Sequence, residues 1–144
     1  MSTAAQTVIA GVLIFVGGQL FLKLVIEPTH QLKKTIASVS HTLFCYSYVI
    51  HNPTIVSTTQ YDEVDGKLRE ISGQLVADMS VLPACCVFGW IFRLPRRKDI
   101  FESAQNLINI ANTMASTSES KFDDIDRYKL QIYKSLGIYA PNYD

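Results

Sequence analysis

With 144 residues, the chain has room for one modest domain and a short appendage; 48% of it is hydrophobic and 18% charged, against about 25% charged in an average soluble domain. Thirteen basic and thirteen acidic residues cancel to a net charge of zero, which removes any global electrostatic reason to bind nucleic acid. The three cysteines, Cys45, Cys85 and Cys86, form no spaced framework of the kind a secreted disulfide scaffold needs; they fit reduced thiols in a cytoplasmic compartment, packed as small apolar side chains.

The apolar excess is concentrated at the front, where no charged side chain occurs from Met1 to Leu22. Thr7 to Ile26 reads TVIAGVLIFVGGQLFLKLVI, close to the twenty or so residues a helix needs to cross a hydrocarbon core of roughly 30 Å. Its strongly polar members are Gln19 and Lys23, and Lys23 lies near the end, where a long stem can carry the ammonium to the headgroups. A cleaved signal peptide would want basic residues ahead of the run and a small-x-small site behind it, and neither is present. Lys23, Lys33 and Lys34 follow the run and no basic residue precedes it, so the following body is expected on the cytoplasmic side with the N-terminus outside. Ala4, Gly11 and Gly18 recur at seven-residue intervals, and with Gln19 beside them they form a stripe on which a second helix could pack closely.

Beyond the anchor, Glu27-Pro28 marks its expected end, since proline suits the first turn of a new helix. Leu32, Ile36, Val39, Leu43, Tyr46 and Ile50 alternate steps of four and three, the seam of a packed helix, and His51-Asn52-Pro53 ends it. Asn52 to Gln60 reads as a loop. A second helix starting near Tyr61 continues the rhythm through Val64, Leu68, Ile71 and Leu75, with Asp65, Lys67, Arg69 and Glu70 opposite, and the two predict an antiparallel hairpin.

Val81 to Leu94, VLPACCVFGWIFRL, is almost wholly apolar but short for a span. Both of its flanks carry the positive charge of a cytoplasmic side, so a re-entrant or interfacial segment is expected, with Trp90 in the headgroup belt. A second span starting near Ile71 would place Asp78 in lipid. Lys23, Trp90, Arg93, Arg96, Arg97 and Lys98 are the candidate membrane-surface residues, with anionic lipid as their expected contact. Asp99 and Glu102 stand at capping-box spacing before a helix with Ile100, Ala104, Leu107, Ala111 and Met114 on one face. Of Asn106, Asn109 and Asn112, two are expected to face water. After the small polar stretch ASTSES, Phe122, Ile125, Tyr128, Ile132 and Leu136 make an amphipathic helix that ends at Gly137 and could serve as a partner helix.

Catalytic chemistry finds little support. Glu27-x-x-His30 has a spacing used twice in di-iron bundles, but occurs once here, with a proline inside it. His41 is roughly 16 Å along a helix from His30, too far to share an ion. No serine stands in a nucleophile elbow, and Gly17-Gly18 is inside the anchor. No cofactor, no metal site and no enzymatic activity is expected.

The runs EPTHQLKKTIASVSHTLFCYSYVIHNP, LREISGQLVADMSVLP and LPRRKDIFESAQNLINIAN resemble a widespread group of small bacterial membrane proteins of undefined function. In that group a short anchor precedes an Arg/Leu-rich helix and one containing Asn-Leu-Ile. The likeness covers about residues 27–112 and does not extend to Phe122–Asp144. It implies a bacterial inner membrane and carries over no catalytic residue.

The expected fold is therefore all-α: a transmembrane anchor over residues 1–26, a helical hairpin or bundle over 27–115 that includes the interfacial segment 81–94, a linker at 116–121, and a C-terminal amphipathic helix and tail over 122–144. The expected role is that of a membrane-anchored structural or interaction protein, a homo-oligomer or accessory subunit of a membrane complex, with the lipid bilayer as partner. The alternative is a membrane-active effector or small oligomeric pore.

Overall fold

A computed structural model describes residues 3–52, 57–82, 92–116 and 121–139. The fold is all-α, and no strand occurs among the described residues. Helix α1 (Thr3–Phe21) passes through a π-helical turn (Leu22–Ile26) into α2 (Glu27–Cys45). A short α3 (Ser47–His51), α4 (Thr58–Val81), α5 (Arg97–Met114) and α6 (Lys121–Leu136) follow.

Pro28 does not separate anchor from body, contrary to the sequence-based expectation. Thr3 to Cys45 is one continuous helix of 43 residues, about 65 Å long at 1.5 Å per residue. A proline inside a helix removes one hydrogen bond and pushes its ring against the carbonyl four residues back. The widened turn just ahead absorbs both effects: the Glu27 amide donates to the carbonyl of Leu22, five residues back, in place of the usual four. The actual break comes at Tyr46 (φ −96°, ψ 12°), which offsets α3 from α2.

The body is an up-down-up-down bundle of α2–α3, α4, α5 and α6, each helix packed on its sequence neighbour. The cross-links fix the antiparallel registers. Thr35 donates to Asp78 and Tyr46 to Glu63 between α2 and α4; Ser72 donates to the carbonyl of Ala104 and Arg69 to Asn112 between α4 and α5. Asn106 reaches Gln131 between α5 and α6, and α6 closes on α3 through His51–Asp126 and Lys129–Ser47. The core sits along the predicted seams. Leu32, Val39, Leu43 and Ile50 meet Val64, Leu68, Ile71 and Leu75, and all five residues expected on the inner face of α5 are buried. Asn106 is buried, Asn109 half-buried and Asn112 exposed.

Local starts differ from expectation in two places. Helix α4 begins at Thr58, three residues before Tyr61, because Ser57 is its N-cap: the serine oxygen accepts from the Gln60 amide, while its hydroxyl lies 3.2 Å from the Gln60 side chain. Asp99 does not cap α5. Arg96 occupies the cap position without a side-chain bond, and Asp99 falls within the first turn, where its charge still faces the positive end of the helix dipole.

Candidate membrane anchor and its basal cleft

Helix α1 carries Val8, Ile9, Val12, Leu13, Ile14, Phe15 and Val16, then Leu20 and Phe21, and every one of these side chains is exposed. They surround the helix and do not form a stripe. A helix apolar on all sides is normally buried in a large core or in a membrane, and α1 has no buried residue within this chain. It is the one helix long and apolar enough to cross a membrane among the described residues. Ala4, Gly11, Gly18 and Gln19 are all exposed on it. A Cβ added at Gly11 or Gly18 would meet nothing within 4 Å, so the small-residue stripe is open to a neighbour.

At the base of α1 polar side chains join the exposed apolar ones, Leu22, Leu24 and Ile26. Lys23 in the π turn, Glu27, Pro28 and Gln31 on α2, and Asp78 and Val81 at the end of α4 line a cleft of about 460 Å³. A second groove of about 220 Å³ shares Gln31 and continues between the same helices past Lys34, Thr35, Ser38, Lys67, Glu70 and Gln74. The α2–α4 register creates both: Thr35 holds the Asp78 carboxylate against α2, so the last turn of α4 returns to the level of Pro28 and Gln31. Ile71, Leu75 and Met79 are spent in the bundle core, so the first part of the stretch weighed as a second span is a soluble-type helix facing its neighbours.

Of the other sequence-predicted residues, Arg93, Arg96, Arg97 and Lys98 are all exposed around the start of α5. Arg93 has φ 51°, a left-handed conformation uncommon for a side chain of its size. Val81 ends α4 and is exposed, Leu82 is buried, and the rest of the expected interfacial segment through Ile91, with Cys85, Cys86 and Trp90, lies outside the described residues. Cys45 is exposed, which corrects its expected burial; its sulfur lies 3.4 Å from His41 Nε2 one turn earlier. The face of α6 is not free for a partner helix. Ile125, Ile132 and Leu136 are buried in the chain's own core against α5, Tyr128 is half-buried, and Phe122 remains exposed. The amphipathic pattern is satisfied internally, and α6 belongs to the bundle and not to a separate unit.

Two buried lysines on α6 escaped sequence reasoning. Lys121 sends its ammonium to the carbonyls of Met114 (3.0 Å) and Ser116 (3.3 Å), closing the C-terminal end of α5 where the helix dipole favours a cation. Burial lowers its pKa. Lys129, 3% exposed, reaches Ser47 on α3 at 3.3 Å. His51 stands between the Ser47 carbonyl (2.8 Å) and Asp126 (2.9 Å), so it ties α3 to α6.

Titration of these groups has a definite sign. The Tyr46 hydroxyl donates to Glu63, whose bond and charge raise its pKa; Tyr61 is raised by burial and then by Asp65. A raised phenol contributes stability that is complete below the ordinary value of about 10 and is lost as pH climbs through the folded value. Lys121 acts in the opposite sense: its lowered pKa is a cost at neutral pH that fades as pH rises toward the ordinary lysine value. The raised Tyr46 and Tyr61, joined by Lys67, which Glu70 raises, predict a loss of stability above about pH 10 that the lowered Lys121 opposes. Urea midpoints measured on either side of that pH should show it, and the Tyr46→Phe, Tyr61→Phe double variant should flatten it.

No group of three or more His, Cys, Asp or Glu side chains that could hold a metal ion occurs among the described residues. Fold and surface together define an all-α bundle led by one bare apolar helix of membrane-spanning length. No family model, curated protein or solved structure matches the chain.

Proposed function

We propose that this protein is a membrane-anchored helical interaction protein, in which α1 crosses a bacterial inner membrane with its N-terminus outside and holds the bundle at the cytoplasmic surface. There it associates with copies of itself or serves as an accessory subunit of a larger membrane complex. One observation carries the proposal: a single helix is bare and apolar over its first half and forms the first wall of a packed bundle over its second. Because the π turn continues the helix instead of breaking it, anchor and body are coupled as a stalk, and a rotation of α1 against a neighbour is passed to α2. The open stripe at Gly11 and Gly18, with Gln19 able to hydrogen-bond across a contact, is the natural seat for a second helix.

Size measurement of the full chain in mild detergent tests this. The unmodified protein should run as an oligomer or with a co-purifying membrane protein, and Gly11→Leu with Gly18→Leu should reduce it to monomer. A monomer without any companion would contradict the proposal.

A further inference from the structure

The zero net charge conceals a strong division. The bundle registers place the end of α4, the start of α5 and the end of α6 at the same end as Gln31 of α2, the end nearest the anchor. The start of α4, the end of α5 and the start of α6 lie at the far end. Of the ion pairs between described side chains, Arg69–Asp65 and Arg127–Asp124 belong to the far half, as does the His51–Asp126 hydrogen bond, and Lys67–Glu70 lies midway, in the groove it shares with Lys34. The near half exposes Lys33, Lys34, Arg96, Arg97, Lys98 and Lys134, none of which pairs with a described carboxylate, and they outnumber its own carboxylates, Glu27, Asp78, Asp99 and Glu102. Among them stand three large side chains that water does not favour, Val81, Phe101 and Tyr139, which are 66%, 47% and 80% exposed.

We infer that this near end is a docking surface for anionic lipid headgroups, so that the bundle seats on the bilayer that holds its anchor. The inference rests on the proposed membrane placement and adds a partner of defined chemistry. Three features of the surface favour a lipid occupant over an acidic protein. The basic groups are contributed by three different helices and share the end of the bundle nearest the anchor. Lys33 and Lys34 lie about 15 Å along the helix from Lys23, within reach of the headgroup layer. Exposed apolar and aromatic side chains mixed among unpaired cations are the composition an interface of headgroups and acyl chains accepts. The acidic far end is repelled by the same surface, so charge sets orientation as well as attraction.

The test uses the full chain carrying Cys45→Ser, Cys85→Ala, Cys86→Ala and Tyr139→Cys, labelled with a donor fluorophore and reconstituted into vesicles with a headgroup-linked acceptor. Adding phosphatidylglycerol to phosphatidylcholine vesicles should raise energy transfer by roughly twofold or more, and high salt should reverse the rise. A donor at Gln60→Cys, on the far end, should show no such rise. Arg96→Gln with Arg97→Gln and Lys98→Gln should abolish the lipid dependence while leaving the helical circular dichroism and flotation with neutral vesicles unchanged. Equal transfer in neutral and anionic vesicles would overturn the docking and leave the basic end to an acidic protein. Failure to float with neutral vesicles would instead overturn the anchor, so the two failures are distinguishable.

Discussion

Placing arginine at Leu13 and at Val16 should move the protein from the membrane pellet to the soluble fraction. Both side chains point away from the rest of the chain, at 66% and 46% exposure, so neither change disturbs the bundle core. The ten large apolar residues between Val8 and Leu22 each favour insertion by about 0.3–0.6 kcal/mol, roughly 3–6 kcal/mol together. Two central arginines remove two of those contributions and cost about 2.5–3.5 kcal/mol each. The sum changes sign, and at about 1.4 kcal/mol per factor of ten the partition shifts by several orders of magnitude. Western blotting of pelleted membranes and supernatant measures it. The same pair of substitutions should leave the thermal unfolding of the bundle nearly unchanged, which separates loss of insertion from loss of fold.

Leu107→Ala should destabilise the bundle by about 2–5 kcal/mol. Leu107 is 1% exposed on α5, the helix that packs against both α4 and α6, so truncation opens a cavity whose walls belong to three helices and cannot all relax inward. Against a total stability of about 5–15 kcal/mol for a domain of this size, that is a large share of the whole. A fall in melting temperature of more than about 10 °C is expected in calorimetry. Leu130→Ala on α6, a position 47% exposed, provides the control and should stay within about 0.5 kcal/mol.

The parts of this structure legible in the sequence are those governed by a period. Four-three spacing located most of the buried apolar seam of α2, α4 and α5, with Ile36 and Tyr46 only half-buried and Met79 and Ile110 missed, because burying one face of a helix leaves that spacing. What escaped depends on events that leave no period. Pro28 looked like a boundary, and the solution adopted, a π turn one step earlier, is a backbone adjustment with no pattern of its own. Ser57 and Gln60 did carry a capping signal, masked by the β-branched run before them. Lys121 and Lys129 were passed over because lysine belongs on surfaces; their burial needs the end of α5 and the side chain of Ser47, brought near only by tertiary packing. The same limit applied to the candidate site. Lys23 and the arginines near α5 were singled out from sequence, but their grouping with Lys33, Lys34 and Lys134 at one end depends on the registers of three helix pairs. Misassigning α6 as a partner helix had the converse cause: an amphipathic stripe records that a face is covered, and it does not record whether the cover is the same chain.

An alkaline carbonate wash of membranes bearing the full-length protein tests most directly whether α1 lies among lipid tails. Carbonate strips proteins held by charge or by other proteins and leaves helices that span the bilayer. The protein should remain entirely with the membranes after the wash and leave them only when detergent is added. Release into the carbonate supernatant would contradict the account.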